Sequence, residues 1–416
     1  MARRRPQADP VVEFVPGSET RLTGGRLIDL IEEPLRALRA SGALPQHGNR
    51  RLLAEHVVVA HLVAFFNPAV KSLRRIEDVC ESPQARKRFD LPPVPRSTLS
   101  DAQALFDPAL LTPLIESLKR RLPTLPHDAR LDAITRQLLA VDGTFFAVAA
   151  RVAWALYCKN NNPDAAVHKG SVRADFHFDI LRGVPEAVVV SGHGLAEQAS
   201  LAQHLQPGRF YVADRGYQAY SLLADIVEAG SDFLIRFRAD LAFDVVTQRP
   251  LSAEDRLAGV VSDDEIHIRG HRAKVGWGER TLRRVVILAD GMDEPIVLLT
   301  NRTDLSAELI GVLYRHRWQV ELFFRWLKCM THFKHFFSES QTGVTLQIYA
   351  AVIATLLIAV ETGSKPNVYT FSTLSAVLSG LIAPEEAPAI IARRLALCAR
   401  DAERARARRA AKKTSR

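Results

Sequence analysis

The stretch L-L-A-V-D-G-T, Leu138 to Thr144, is a short apolar run that closes on an aspartate. Four apolar residues bounded by Asp-Gly predict a buried strand that delivers the carboxylate of Asp142 at its end. The pattern returns in F-Y-V-A-D-R-G-Y, Phe210 to Tyr217, where a second apolar run stops at Asp214. Gly143 and Gly216 leave room beside each aspartate for another backbone to approach. A lone Asp-Gly is more often an ordinary turn, so the pair needs support from the surrounding chain.

Working outward, Val172, Ala174, Phe176, Phe178 and Ile180 alternate with Arg173, Asp175, His177 and Asp179, which predicts a half-buried antiparallel strand. Gly183 and Pro185 turn the chain into Ala187 to Val190. A helix is expected over Leu195 to Leu205, another over Tyr217 to Ala229, and a strand over Phe233 to Arg238. Three strands, helix, strand, helix, strand is the order of a mixed sheet covered by helices. Residues 240–304 hold short apolar runs between Asp and Gly clusters, a strand-rich insertion.

In front of the sheet, residues 27–122 read as helices, including Val57 to Phe66, Ser72 to Cys80 and Ser97 to Phe106. They are broken at Gly42 to Gly48 and at Leu91 to Pro95. Pro123, Pro126 and His127 make a linker. Behind the insertion, Ser306 caps one helix running to Lys328. On a helical wheel Arg317, Lys328, Glu321, Tyr314 and Arg325 fall within roughly 80° of one another, and Val320, Phe323, Phe324 and Leu327 take the opposite flank. Ordinary i, i+4 ion pairs on an exposed face would give the same wheel.

Composition narrows the function classes. Residues 1–130 carry 20 basic and 15 acidic side chains, residues 393–416 carry 10 and 2, and residues 131–392 carry 25 and 29. Two basic ends around an acidic middle suit a protein that grips phosphates and holds metal ions at its centre. Cys80, Cys158, Cys329 and Cys398 form no C-x-x-C pair, which argues against zinc knuckles and a disulfide framework. The arginine-rich, polar start does not read as a secretion signal, so secretion is not expected. The apolar run Ile348 to Val360 is thirteen residues, short of the roughly 20 that a membrane span needs, and is read as a buried helix. His332 and His335 stand three apart near the carboxylate helix, but a zinc site needs two further ligands and no partner pair is spaced to supply them.

Tyr314, Arg317, Glu321 and Lys328 fit the pattern Y-x2-R-x3-E-x6-K without a gap. With D-G-T and D-R-G-Y before it, the sequence resembles the insertion sequence four family of bacterial DDE transposases over residues 138–360. Phe66 to Ile76 also looks like that family's N-terminal region. The resemblance implies an α/β, ribonuclease-H-like mixed sheet flanked by helices, with a strand-rich insertion and a helical N-terminal domain. It divides the chain into a DNA-binding region at 1–130, a catalytic core at 131–238 and 306–363, the insertion at 239–305, and a helical C-terminal region with a basic tail at 364–416.

It further implies cut-and-paste DNA transposition, with Asp142, Asp214 and Glu321 as catalytic ligands of two Mg2+ ions, Mn2+ substituting. Arg317 and Lys328 are expected on DNA phosphates, Tyr314 on the DNA backbone and Arg325 among the DNA contacts. Arg215 either binds a phosphate or neutralises the carboxylates, and Trp277 is a candidate for stacking on a flipped base, although an aromatic in such an insertion is more often core. Trp318 and Trp326 read as packing residues. Expected partners are double-stranded DNA and a second copy of the chain, with no membrane and no nucleotide cofactor, in the cytoplasm beside the nucleoid. A nuclease that cleaves without joining, and an inactive DNA-binding descendant, remain as alternatives.

Overall fold

A computed structural model describes residues 35–36, 40, 54–67, 69–89, 91–123, 127–148, 152–158, 168–192, 195–288, 294–330, 336–363, 366–378 and 381–414. The Gly42 to Gly48 break, His332, His335 and the front extension before residue 35 lie outside them. Helices come first: α1 Ala54–Phe66, α2 Leu73–Glu81, α3 Pro83–Phe89, α4 Arg96–Leu105 and α5 Thr112–Arg121. Ser72 caps α2 by accepting the Arg75 N–H, as a serine before a helix is suited to do.

Strands β1 Gln137–Val148, β2 Leu156–Cys158, β3 His168–Asp179 and β4 Val184–Gly192 follow. Then come α6 Glu197–Ala202, β5 Arg209–Ala213, α7 Tyr220–Glu228 and β6 Asp232–Phe237. The insertion adds β7 Phe243–Gln248, α8 Ala253–Leu257, β8 Val260–Ile268, α9 His271–Gly276, β9 Leu282–Ile287 and β10 Ile296–Thr300. The chain ends in α10 Ala307–His316, α11 Trp318–Met330, α12 Gln341–Thr362, α13 Val368–Leu378 and α14 Ala387–Thr414.

The strands form one mixed sheet in the order β2-β3-β1-β5-β6-β10-β9-β8-β7, with β4 also on β3. β1, β5 and β6 are parallel, and β3 and β4 are antiparallel additions on the other side of β1. The insertion is no separate module of the sheet: β10 pairs antiparallel with β6, and the sheet runs on through β9, β8 and β7.

Alternation along the strands sends successive side chains to opposite faces. Leu138, Ala140, Phe210, Val212 and Leu234 join one core with α10, α11, α12 and the N-terminal helices. Leu139, Val141, Tyr211, Ala213, Phe233 and Ile235 join a second core with α7 on the reverse face. The N-terminal helices thus share a core with the sheet.

Three expectations change. β1 does not stop at Asp142 but runs to Val148, because Phe146 keeps its cover against Phe336 and β3 stays paired alongside. β3 is buried on both faces: Arg173, Asp175, His177 and Asp179 are each at most 5% exposed. α12 is longer than its apolar run, 22 residues, and by length and composition it could cross a membrane. Fourteen of its residues are buried, which makes it the central helix of the first core.

Candidate active site

Register brings the two aspartates together. The parallel pairing of β1 with β5 ends at Val141 opposite Ala213, so Asp142 and Asp214 are the next residues on neighbouring strands. Both have the parity of Leu138 and Phe210 and therefore point to the face covered by α10 and α11. Each accepts a backbone N–H on its own Oδ1, from Gly143 at 2.8 Å and from Gly216 at 2.7 Å. In the second case the carboxylate caps the short turn Arg215–Tyr217.

The third carboxylate arrives from α11. The helix expected to run unbroken from Ser306 to Lys328 divides at Arg317, where the ladder tightens to i, i+3 bonds from Arg317 N–H to Tyr314 O and from Val320 N–H to Arg317 O. α11 is held to β3 by Phe323 and Phe324, whose rings pack on Phe176 and Phe178. From the break, Arg317 reaches toward the sheet and donates to Asp142 Oδ2 at 3.1 Å and to Glu321 Oε1 at 2.6 Å. One buried guanidinium thus joins the first and third carboxylates, and its Nε remains without a hydrogen-bond partner.

Burial pushes the Asp142 carboxyl up to about 7; the Arg317 charge pulls against it, while Asp214 and Glu321 add to it. Among the described residues no metal-binding group of three or more His, Cys, Asp or Glu is formed in this conformation, in which Arg317 stands between two of the carboxylates. The donor set nevertheless fits a divalent cation. Three oxygen-donor side chains face one region, burial first and then the neighbouring carboxylates drive Asp142 toward neutrality, and a cation would supply the charge that ionises it.

Around these lie the other expected residues. Tyr314 is half-buried with Arg317 5.8 Å from its ring centroid, and burial raises its hydroxyl pKa. Lys328 is exposed, its Nζ 5.8 Å from the Phe146 ring, and partial burial lowers its pKa. Arg325 and Arg215 are exposed. Trp277 departs from its expected role: it is 4% exposed, packs edge-on against Phe233 and donates its indole N–H to Arg280 O, so it has no free face for a base. Trp326 is core, as expected, against Phe65, Phe323 and Phe371, but Trp318 is 50% exposed.

A second polar cluster lies behind the aspartates, on the reverse face, and the sequence reading passes over it. Arg173 donates to Asp175 Oδ1 through Nε at 2.8 Å and Nη2 at 2.6 Å, and to Leu195 O at 2.8 Å. Ser200 donates to Asp175 Oδ2 at 2.8 Å. Glu197 stands 3.6 Å from Arg173, and its carboxyl pKa is raised by burial first, then by the Asp214 and Asp175 charges against the pull of Arg173. Tyr217, 1% exposed, has a buried hydroxyl without a partner, and its pKa is raised by burial and then by Asp175, Glu197 and Asp142. The alternation in β3 is the available signal, but an alternating polar face reads equally as solvent-facing.

Comparison with known proteins gives this geometry a context. Residues 134–357 match the family described as Transposase DDE domain. A Sinorhizobium fredii protein named as a transposase, y4zB, is 32% identical over 38% of this chain and 43% of its own length. A Geobacillus stearothermophilus protein named as the transposase of insertion sequence element IS5377 is 28% identical over 54% of this chain and 56% of its own. The chain thus spans about half the length of these relatives. A piggyBac transposase in a synaptic complex with hairpin DNA aligns with 91% of this chain and 80% of its own at 10% identity and a TM-score of 0.37, a likeness too loose to carry a conclusion.

Proposed function

We propose, from the premise that this chain belongs to the DDE-domain transposase family, that it cuts the ends of an insertion sequence and joins them to target DNA by a cut-and-paste route. The observation that carries the reading is the register that sets Asp142 and Asp214 side by side on the α11 face, with Arg317 linking Asp142 to Glu321. Asp142, Asp214 and Glu321 would hold two Mg2+ ions, with Mn2+ able to replace them. When bound, the ions supply Lewis acidity toward the scissile phosphate and activate water or a 3′-hydroxyl for in-line attack.

The remaining work falls to this chain's side chains. Arg317 leaves its carboxylate partners and, with Arg325, Lys328 and Arg215, binds phosphate oxygens near the scissile bond, while Tyr314 lies along the backbone. Such contacts orient the strand without choosing its sequence. Double-stranded DNA is the substrate, two copies of the chain act on paired ends, residues 1–130 contribute DNA contacts, and the cytoplasm beside the nucleoid is the place of action.

The test uses the full chain, Mg2+, and duplexes carrying the inverted repeats that flank its reading frame. Wild type is expected to cleave at the repeat end and to join it to a target duplex. Asp142→Ala, Asp214→Ala and Glu321→Ala are each expected to abolish both steps. Cleavage without joining supports the nuclease reading, and cleavage surviving all three substitutions overturns the site.

A further inference from the structure

We infer that Glu197, held by Arg173, is a positioning residue for Asp214, acting through Gly216 from the reverse face of the sheet; this rests on the metal-binding reading of Asp142, Asp214 and Glu321. Gly216 has no positive φ to require glycine, so the requirement comes from space. A Cβ there would collide with Glu197 Oε2 and stand 3.0 Å from Asp214 Oδ1, so both carboxylates border the space that the glycine leaves open. From the same short helix, the Gln198 side-chain amide donates to Gly216 O. Gly216 is thereby gripped from the α6 side while its N–H holds Asp214 Oδ1.

The grip is anchored on β3. Arg173, 4% exposed, faces Glu197 at 3.6 Å, forks onto Asp175 and holds the carbonyl of Leu195 just before α6. Asp175 in turn abuts the other catalytic turn, because a Cβ on Gly143 would lie 2.6 Å from Asp175 Oδ1 and 3.2 Å from Arg173 Nε. Gly143 gives its N–H to Asp142 as Gly216 does to Asp214. One guanidinium therefore braces both aspartate-bearing backbones from behind, and Glu197 is the arm that reaches the second.

Support of this kind governs how well a metal is held, and losing it costs about tenfold or more in metal affinity. The test titrates Mn2+ into the full chain without DNA by calorimetry, for wild type, Glu197→Ala, Glu197→Gln and Asp214→Ala, with unfolding temperatures for each. Glu197→Ala is expected to weaken Mn2+ binding about tenfold. Glu197→Gln keeps the shape against Gly216 while giving up the 3.6 Å ion pair with Arg173, and is expected to restore most of the affinity.

Wild-type affinity in Glu197→Ala overturns the proposal. Equal loss in the Gln and Ala variants also overturns it, since the group would then act by its charge and not by its position. Asp214→Ala separates the two readings: unchanged Mn2+ binding there removes the metal site itself, whereas lost binding there with none lost in Glu197→Ala removes only the role of Glu197. An unfolding temperature that drops in Glu197→Ala without a change in affinity marks a merely structural part and counts against the proposal.

Discussion

Asp142 is buried beside one arginine and two other carboxylates, so its proton is contested between burial, which retains it, and Arg317, which draws it off. Its carboxyl lies at about 7 in the folded chain against 3.8 ordinarily. A carboxyl raised by folding contributes stability that is complete below its ordinary value and is lost as the pH rises through about 7. The metal-free protein is therefore expected to unfold at progressively lower temperature as the pH climbs from about 3.8 to about 7, and to level off above. Metal binding must displace the same proton, so Mn2+ affinity is expected to rise about tenfold per pH unit below neutrality and level off above it. Arg317→Gln removes the charge that draws the proton off and moves this midpoint to higher pH; above it, the vacated bridge lets Mn2+ bind more tightly than in wild type. Calorimetry across the pH range checks both, and a flat profile in wild type would remove Asp142 from the metal's ligands.

At the scale of elements, the residues that carry the site depend on partners far away in sequence. α10, which leads into Arg317, is buttressed by the insertion: Asp255 accepts the Glu308 N–H at 2.8 Å, and Arg283 donates to Leu305 O just before the helix. Arg283 is 1% exposed and forks onto Asp263 at 2.8 and 2.7 Å. Stranding a buried charge costs about 3–5 kcal/mol, and because Arg249 Nε stands 3.5 Å from Asp263 Oδ2 as a second partner, the loss here is expected at the low end, about 3 kcal/mol. Arg283→Ala is thus expected to lower unfolding stability by that amount in urea, and Arg283→Met with Asp263→Leu to recover most of it; an unchanged midpoint in Arg283→Ala would refute the buttress. What the sequence makes legible follows from the same distinction. The faces of α11 and the apolar strands before Asp142 and Asp214 are local patterns of period 3.6 and 2, and can be read directly. The break at Arg317 cannot, because no Pro or Gly marks it and its side chain is drawn to Asp142, 175 residues away. Nor can the burial of Arg173 and Asp175, whose cover comes from Ser200 and the segment at Leu195. Trp277 differs in kind: an aromatic in a strand-rich insertion reads first as core, only the family resemblance assigns it to stacking, and in the fold it is core, 4% exposed and packed edge-on with Phe233.

For the molecule as a whole, the acidic excess lies in the middle of the chain, while the last helix carries exposed cations at Arg393, Arg394, Arg400 and Arg404. Beyond Glu403, residues 404–416 hold seven basic residues and no acidic ones, and the described Arg404 is exposed. α14 is fixed at its other end, where Ala387 and Ile391 are buried. Each phosphate neutralised by a lysine or arginine releases counterions, and the logarithm of the binding constant falls with that of the salt concentration by about 0.9 per phosphate. Ending the chain after Glu403 is expected to weaken non-specific duplex binding and to make the salt slope shallower by about 0.9 for every phosphate left without its cation. The unfolding temperature and the Mn2+ affinity should stay as in the full chain, because the Arg317 bridge is made with Asp142 and Glu321 and α14 keeps its buried Ile391 ahead of the cut. Fluorescence anisotropy across a salt series measures the slope, and an unaltered slope would mean that the tail's cations stay in solvent when DNA is bound, leaving the grip to the arginines and lysine around Asp142.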